Sequence, residues 1–481
     1  MPGFHIEHFG CRAARADGEA IGDRLRAAGH CVRQPSDADV VIVNTCSVTA
    51  EADRAARAFI RRAHRRNPAA RIIVTGCYAQ RAPEELGRLA GVSAIVGNSH
   101  KALAPQIALS LMGQTAPHAS LATPQPGSGL IQLQGATNLK RAISEQLAAP
   151  QVLWADDLFA HSFLEEAQVV PGAQTRPNLK IQEGCGNRCT FCVIPQTRGS
   201  SRSLPAAAIL KQVEGFVAAG GHELVLSGIN LGRWGRDLPH AHPQTPRTLP
   251  SLLRHIFDRT PLPRLRLSSI EPMDWDADMI ALMREFGGTR LARHAHLPLQ
   301  SGSDAVLRRM HRRYRPWHYE QKVHALLDAA GPELTLGADV MVGFPGETDA
   351  EFDQTLALVR KLPFGYLHLF SFSPRPGTPA WALHAGHPVA TQAVKQRMAA
   401  LRTLAAEKSQ AHRRRFVGGE LEAITLHTPA ESEQAGRTAA LTENFLPVEL
   451  EGRLPANRMV RLRISNMTAG GALMAAGLNL S

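Results

Sequence analysis

Gly184-Cys185-Gly186-Asn187-Arg188-Cys189-Thr190-Phe191-Cys192 places three cysteines at C-x3-C-x2-C spacing, directly after the apolar-polar run Leu179-Lys180-Ile181-Gln182. A loop this short can turn three thiolates toward one point. Three is one fewer than a closed zinc site takes, and it leaves one over after a disulfide. Three thiolates on a four-iron cluster leave one iron without a protein ligand, open to a small molecule. A zinc loop that borrows a distant fourth ligand, or free buried cysteines, are the other readings of the loop alone.

The chain beyond the loop sets its context. Six apolar runs recur from Leu179 onward: Leu179–Gln182, Glu223–Ser227, Leu265–Ile270, His294–Leu299, Gly337–Val342 and Tyr366–Phe372. Helical patterns near 205–219, 249–259, 276–286, 303–330, 349–361 and 390–412 alternate with them. Six βα units in a row predict a parallel barrel, complete or partial, whose active site lies at the strand C-terminal ends. The cysteine loop comes directly after the first of these strands, as that rule requires.

Upstream, residues 1–100 also alternate. Phe4–Phe9, Asp39–Asn44, Arg71–Thr75 and Ala94–Val96 read as strands. Helices are expected near 16–29 and 49–66, with another opening at Pro83. This spacing predicts a doubly wound parallel α/β domain. Cys11, Cys46 and Cys77 then fall just after the first three strands. Strands of an open parallel sheet end at one edge, so these three cysteines are predicted to converge there. Cys31 comes after a helix rather than a strand and reads as a small core residue.

Residues 101–178 are the least regular. They include the breaker-rich run Thr123–Gly129 and short helical patterns near 139–147 and 158–166. The tail beyond Arg413 changes to short strands (Leu421–Leu426, Leu446–Leu450, Met459–Ile464) separated by Gly, Asn and Pro, which predicts a small all-β barrel. The expected organisation is an N-terminal domain over 1–112, an irregular linker over 113–170, a barrel over 171–410 and a β-domain over 411–478.

Composition bounds the function. The 481 residues are 44% hydrophobic and 20% charged, as in a globular protein of two or three domains. No apolar run reaches the roughly 18–20 residues of a membrane helix. Met1–Gly10 has no apolar h-region, so a cytoplasmic location is expected. In that compartment seven cysteines favour metal or catalysis over disulfides. The net charge of +12 favours a polyanionic partner, nucleic acid first, although an Arg-rich composition alone also produces it. Arg54, Arg57, Arg61 and Arg65 share one helix face; Arg308, Arg309, Arg312, Arg313 and Arg315, and Arg413, Arg414 and Arg415, form two further basic runs. Each is a candidate phosphate contact or a solvated face.

Several motifs together resemble the radical S-adenosylmethionine (SAM) methylthiotransferase family. They are Gly10-Cys11, Asn44-Thr45-Cys46-Ser47-Val48-Thr49, Thr75-Gly76-Cys77-Tyr78-Ala79-Gln80, the 184–192 loop, His296–Asp304 and Val342–Thr348. The resemblance implies a methylthiotransferase N-terminal domain, a partial (βα)6 radical-SAM barrel and a TRAM-like C-terminal barrel. It implies one [4Fe–4S] cluster on Cys185, Cys189 and Cys192, and an auxiliary [4Fe–4S] cluster on Cys11, Cys46 and Cys77. SAM is implied as both radical source and methyl donor, with contacts carried over to Gly220, Glu223, Ser269, Glu271, Gln300 and Gly343. No side chain acts as acid or base, since replacing an aromatic C–H by C–S–CH3 is cofactor chemistry.

The resemblance further implies a tRNA substrate, an electron donor such as flavodoxin or ferredoxin, and sulfur and cluster supply proteins, with no membrane. Tyr78, Gly228–Gly232 and Leu267–Pro272 look most like the branch that modifies N6-threonylcarbamoyladenosine. The other branches act on isopentenyladenosine in tRNA or on a ribosomal-protein aspartate. A zinc-binding RNA protein is the non-enzymatic alternative. Arg12-Ala13-Ala14 departs from the family's usual continuation after the first cysteine.

Overall fold

A computed structural model of the chain describes residues 2–113, 152–163, 169, 171, 175–239, 245–468 and 470–479. The chain divides into two compact units. One comprises residues 1–168, 183–187 and 192–201; the other comprises residues 169–182, 188–191 and 202–481.

The first unit is built on a parallel sheet of six strands: β1 (Gly3–His8), β2 (Cys31–Val32), β3 (Val40–Thr45), β4 (Arg71–Gly76), β5 (Val92–Gly97) and β6 (Val152–Trp154). Their order is β2-β1-β3-β4-β5-β6. Every residue of β3 is buried, because helices cover both faces of the sheet. On one face Phe4, Val40, Ile42 and Ile73 pack with Ile21, Leu25, Ile107 and Leu111. On the other, Val41, Val43, Ile72 and Val74 pack with Phe59, Ile60 and Leu86. Thr49 caps the helix Ala50–Arg66 through its side chain, which accepts from the Ala52 amide.

Three expectations need correction here. Cys31 is exposed on the edge strand β2 and is not a core residue. The segment expected as a linker supplies β6, which pairs with β5 and buries Leu153 and Trp154. Residues 158–163 form bends and turns rather than the start of a helix. The patterns at 123–129 and 139–147 lie outside the described residues.

In the second unit, β7 (Asn178–Glu183), β8 (Arg202–Ser203), β9 (Glu223–Gly228) and β10 (Arg264–Leu267) form a sheet ordered β10-β9-β7-β8. The strands β11 (His294–His296), β12 (Thr335–Val342) and β13 (Phe364–Ser371) form a second, parallel sheet. Helices alternate with the strands as the periodicity predicts, with one difference. The pattern over 303–330 is two helices, Asp304–Arg309 and Pro316–Ala330. His311 breaks it with φ of 54°, and Pro316 opens the second helix at a position where its missing N–H costs nothing.

The tail closes into a barrel of five strands: β14 (Glu420–Thr425), β15 (Arg437–Thr442), β16 (Pro447–Glu451), β17 (Met459–Met467) and β18 (Leu473–Asn479). Leu421, Ala423, Val448, Leu450, Leu462 and Ile464 fill it. The turn between β15 and β16 docks on the larger barrel of the same unit. Arg266 Nη2 donates to the Thr442 carbonyl at 3.1 Å, and Arg293 Nη2 pairs with Glu443 at 2.7 Å. Phe445, at φ of 71°, stacks on His294 with ring centroids 4.3 Å apart and lies under Arg266.

Candidate metal centres

The first cysteine set is positioned by strand register. His8 of β1 lies opposite Asn44 of β3; Asn44 and Thr45 lie opposite Thr75 and Gly76 of β4. Cys46 and Cys77 are the next residues on neighbouring parallel strands, and Cys11 comes three residues after β1. Cys11 stands at the N-cap of the helix Arg12–Ala27, beside the helix's partial positive charge. Gly76 turns the chain at φ of 100°, and a Cβ on it would run into the Thr45 backbone.

Cys46 and Cys77 are buried and Cys11 is exposed. Burial first, then the neighbouring Cys77 and Cys11, push the Cys46 thiol up to about 12. Cys46 therefore stays a thiol at neutral pH unless a bound cation favours its thiolate form. Fixed charge already approaches Cys77. Arg198 Nε and Asn98 Nδ2 each donate to its Sγ at 3.3 Å.

Arg198 belongs to a buried quartet. Its Nη1 meets Glu183 at 2.6 Å and Asp17 at 3.3 Å, and Lys101 Nζ meets the same two carboxylates at 2.7 Å each. All four side chains are at most 3% exposed. Burial opposes the Arg198 charge, but Cys77, Glu183 and Asp17 outweigh it and hold the guanidinium ionised. Sequence reasoning missed this quartet. Its members are far apart in the chain, and only the place of Arg198, six residues after Cys192, hinted at a role.

The second cysteine set lies on the loop after β7. The amide of Asn187 donates to Cys185 Sγ at 3.4 Å. Arg312 Nη1 donates to Cys189 Sγ at 3.3 Å, and its Nη2 bonds Glu271. Arg312 was expected on an RNA-facing surface. It is buried, and that expectation is corrected: Tyr314, Glu271 and Cys189 surround it and keep it charged against the cost of burial.

The strand C-terminal ends of the second unit carry orphaned polar atoms. Ser227 Oγ, Ser268 Oγ and Gln300 Oε1 are buried, and none has a hydrogen-bond partner among the described residues. Gln300 is also held at φ of 62°, which a non-glycine residue rarely adopts. Buried polar atoms without partners fit a site that a polar ligand completes. Ser269 and Glu271 lie on the same edge, partly buried, and Glu271 accepts from Arg312. Gly343 begins the turn after β12, where its amide donates to Glu347 at 2.8 Å and Arg397 clasps that carboxylate.

Gly220 and Glu223 lie elsewhere. Glu223 is the first residue of β9, so it stands at the N-terminal end of its strand. Burial works against its charge, but Arg266, Arg176 and Arg264 hold the carboxyl below its usual range. Arg266 Nε bonds it at 2.8 Å. Glu223 is thus a structural counter-ion, and its assignment to SAM is corrected. Gly220 accepts from Asn457 through its carbonyl at the same level of the unit.

The basic candidates divide similarly. Arg54, Arg61 and Arg65 are exposed. Arg57 is partly buried and spent on Tyr78 and Glu85. Arg308 is exposed but paired with Asp304 at 2.9 Å. Arg413 donates to the Gly471 carbonyl at 2.6 Å, and Arg414 is exposed. No helix among the described residues is long and apolar enough to cross a membrane.

Comparison with known proteins agrees with this architecture. The profile described as "Uncharacterized protein family UPF0004" matches residues 3–97, and that of the "Radical SAM superfamily" matches residues 179–359. The threonylcarbamoyladenosine tRNA methylthiotransferase MtaB of Bacillus subtilis (strain 168) is 32% identical over 452 residues, covering 93% of this chain and 90% of that protein. The protein of the same name from Aquifex aeolicus (strain VF5) is 32% identical over 95% of this chain and 99% of its own length. A tRNA-2-methylthio-N(6)-dimethylallyladenosine synthase of Sorangium cellulosum (strain So ce56) is also 32% identical, over 92% of this chain and 85% of that protein. Similarity of this extent, over both matched regions and the tail, shows that the chain belongs to the radical-SAM methylthiotransferase family.

Proposed function

We propose that this chain methylthiolates C2 of N6-threonylcarbamoyladenosine beside the anticodon of tRNA, in the cytoplasm. In this reading Cys185, Cys189 and Cys192 hold the radical-SAM [4Fe–4S] cluster, and Cys11, Cys46 and Cys77 hold an auxiliary one. The observation that carries the reading is the register of β1, β3 and β4, which delivers three cysteines, two of them buried, to one sheet edge. The names of the relatives and the residues Tyr78, Gly228–Gly232 and Leu267–Pro272 favour the threonylcarbamoyl branch. An N-terminal domain over 1–112 with β6 added to its sheet, and limits of 171–410 and 411–478, go with it, as do a reductant of the flavodoxin or ferredoxin type and sulfur and cluster supply proteins.

When bound, the clusters and SAM supply the radical, the sulfur and the methyl group. The chain's own residues hold and tune. Arg312 keeps a positive charge beside the Cys189 sulfur, and Arg198 and Asn98 direct N–H groups at the Cys77 sulfur. Such contacts stabilise thiolates and raise the potential of what they ligate. Ser227, Ser268 and Gln300 offer polar atoms to a ligand at the strand ends. Ser269, Glu271 and the Gly343 turn border that edge. The exposed Arg54, Arg61, Arg65 and Arg414 are the residues left to meet phosphate.

Nucleoside analysis of tRNA from cells lacking this protein tests the reading. The 2-methylthio derivative of threonylcarbamoyladenosine should disappear and return on complementation. Loss of the isopentenyl derivative instead, or of a methylthio group from a ribosomal protein, would overturn the substrate assignment.

A further inference from the structure

The inner faces of β11, β12 and β13 carry a cluster that the cysteine centres do not use. Asp339 lies directly opposite His368 in register, and His296 lies opposite Gly337, two residues before Asp339. All three side chains therefore leave the sheet on one side. The other side carries the buried Ala295, Ala338 and Val340.

The ligand atoms of His296, Asp339 and His368 all lie within 4.8 Å of one another; among the described residues this is the one such group of histidine, cysteine or carboxylate ligands. His296 Nε2 is 3.2 Å from Asp339 Oδ1, and His368 Nδ1 is 3.3 Å from the same oxygen. Bonds of about 2.0–2.1 Å to a tetrahedral zinc ion place its ligand atoms about 3.3–3.4 Å apart. The observed separations match those edges. They lie at the long end of the hydrogen-bond range, and His296 Nε2 is buried with no well-aligned hydrogen bond among the described residues.

The surroundings prepare His296 for a ligand role. Tyr366 Oη lies 3.4 Å from His296 Nδ1 and 2.8 Å from His294 Nε2, fixing the ring from behind. Gly337 makes this possible, since a Cβ there would collide with the Tyr366 ring. An outer partner on the second ring nitrogen is the usual companion of a metal-binding histidine.

We propose that His296, Asp339 and His368 bind one divalent first-row transition metal, zinc foremost, with three protein ligands and one open position. Two imidazoles and one carboxylate suit zinc, and an open position suits water or an oxygen donor. The identity of the modified nucleoside has no bearing on this site.

The test uses the full chain, anaerobically reconstituted with iron and sulfide, then incubated with zinc sulfate and desalted over a weak chelator. Zinc is counted by mass spectrometry, and its shell is read by X-ray absorption. About one zinc per chain, with nitrogen and oxygen neighbours at about 2.0–2.1 Å, is the expected result. His368→Ala, at an exposed position, should retain less than a tenth of it. Tyr366→Phe should weaken zinc affinity about 10–100-fold. Equal zinc in the native protein and His368→Ala, no retained zinc in either, or sulfur at about 2.3 Å in the shell would overturn the proposal.

Discussion

Replacing Arg198 by methionine isolates the role of the buried quartet. The four groups Asp17, Glu183, Lys101 and Arg198 sum to zero charge, and each cation touches both carboxylates. Arg198→Met keeps much of the side-chain volume but leaves one negative charge in excess in a site almost closed to water. Removing one partner of a buried ion pair costs about 3–5 kcal/mol. At about 1.4 kcal/mol per tenfold, even the lower figure raises the opening equilibrium of the sheet roughly a hundredfold. Amide hydrogen exchange read on β3 and β4, in cluster-free protein under argon, measures that opening directly. Charge balance also supplies a control. Arg198→Met combined with Glu183→Gln removes the surplus charge and should recover most of the lost protection. If Arg198→Met exchanges within about threefold of the native protein, or if the double variant is worse than the single one, the quartet does not act through its charge balance.

Gly76→Ala forces a side chain onto a left-handed residue against the Thr45 backbone, and should displace Cys77. Iron after reconstitution should fall from about eight to about four atoms per chain; an unchanged count of about eight would refute the role of Gly76 in placing Cys77, and about four in the native protein would contradict the two-cluster reading. Cys46→Ala should leave SAM cleavage intact and stop thiolation, as product analysis by mass spectrometry will show. Arg312→Met removes a positive N–H donor from Cys189, so the potential of the radical-SAM cluster should become more negative in a redox titration followed by electron paramagnetic resonance. His412, buried against Thr335 and Phe416, has its pKa lowered from 6.5 to about 4 by burial, then by Arg415 and Arg413. The unfolded chain binds the proton first, so this contribution is full above about pH 6.5 and is lost toward pH 4. The drop is about 3 kcal/mol and should be absent in His412→Leu when unfolding is followed against pH.

The parts of the fold that the sequence disclosed are those with local periodicity. Val40–Asn44 and Arg71–Thr75 are β-branched runs, and a strand covered on both faces needs little else. Strand ends then placed Cys11, Cys46 and Cys77 on one edge, because the strands of an open parallel sheet all run to the same edge. Long-range pairing was not legible. Arg312 stands in a basic run like any solvated one, yet its partners Cys189 and Glu271 are 123 and 41 residues away. Glu223 reads as part of a strand by sequence, but whether a residue opens or closes its strand decides which end of a barrel it reaches. Residues 113–170 look irregular, and the three residues of β6 are too few for a periodic signal.

The turn Leu441–Phe445 gives the C-terminal barrel a second meaning. Its Thr442 carbonyl and Phe445 ring cover Arg266, its Glu443 neutralises Arg293, and Glu422 pairs with Arg264 at 2.9 Å. Cutting the chain near residue 411 would uncover three arginines from the floor of the larger barrel and take away their caps. A shortened enzyme that lost activity would then be reporting a damaged floor rather than a missing grip on nucleic acid. The tail is a foundation stone as much as a handle, and deletion cannot tell the two apart; exchanging its outward-facing residues, with the turn left whole, can.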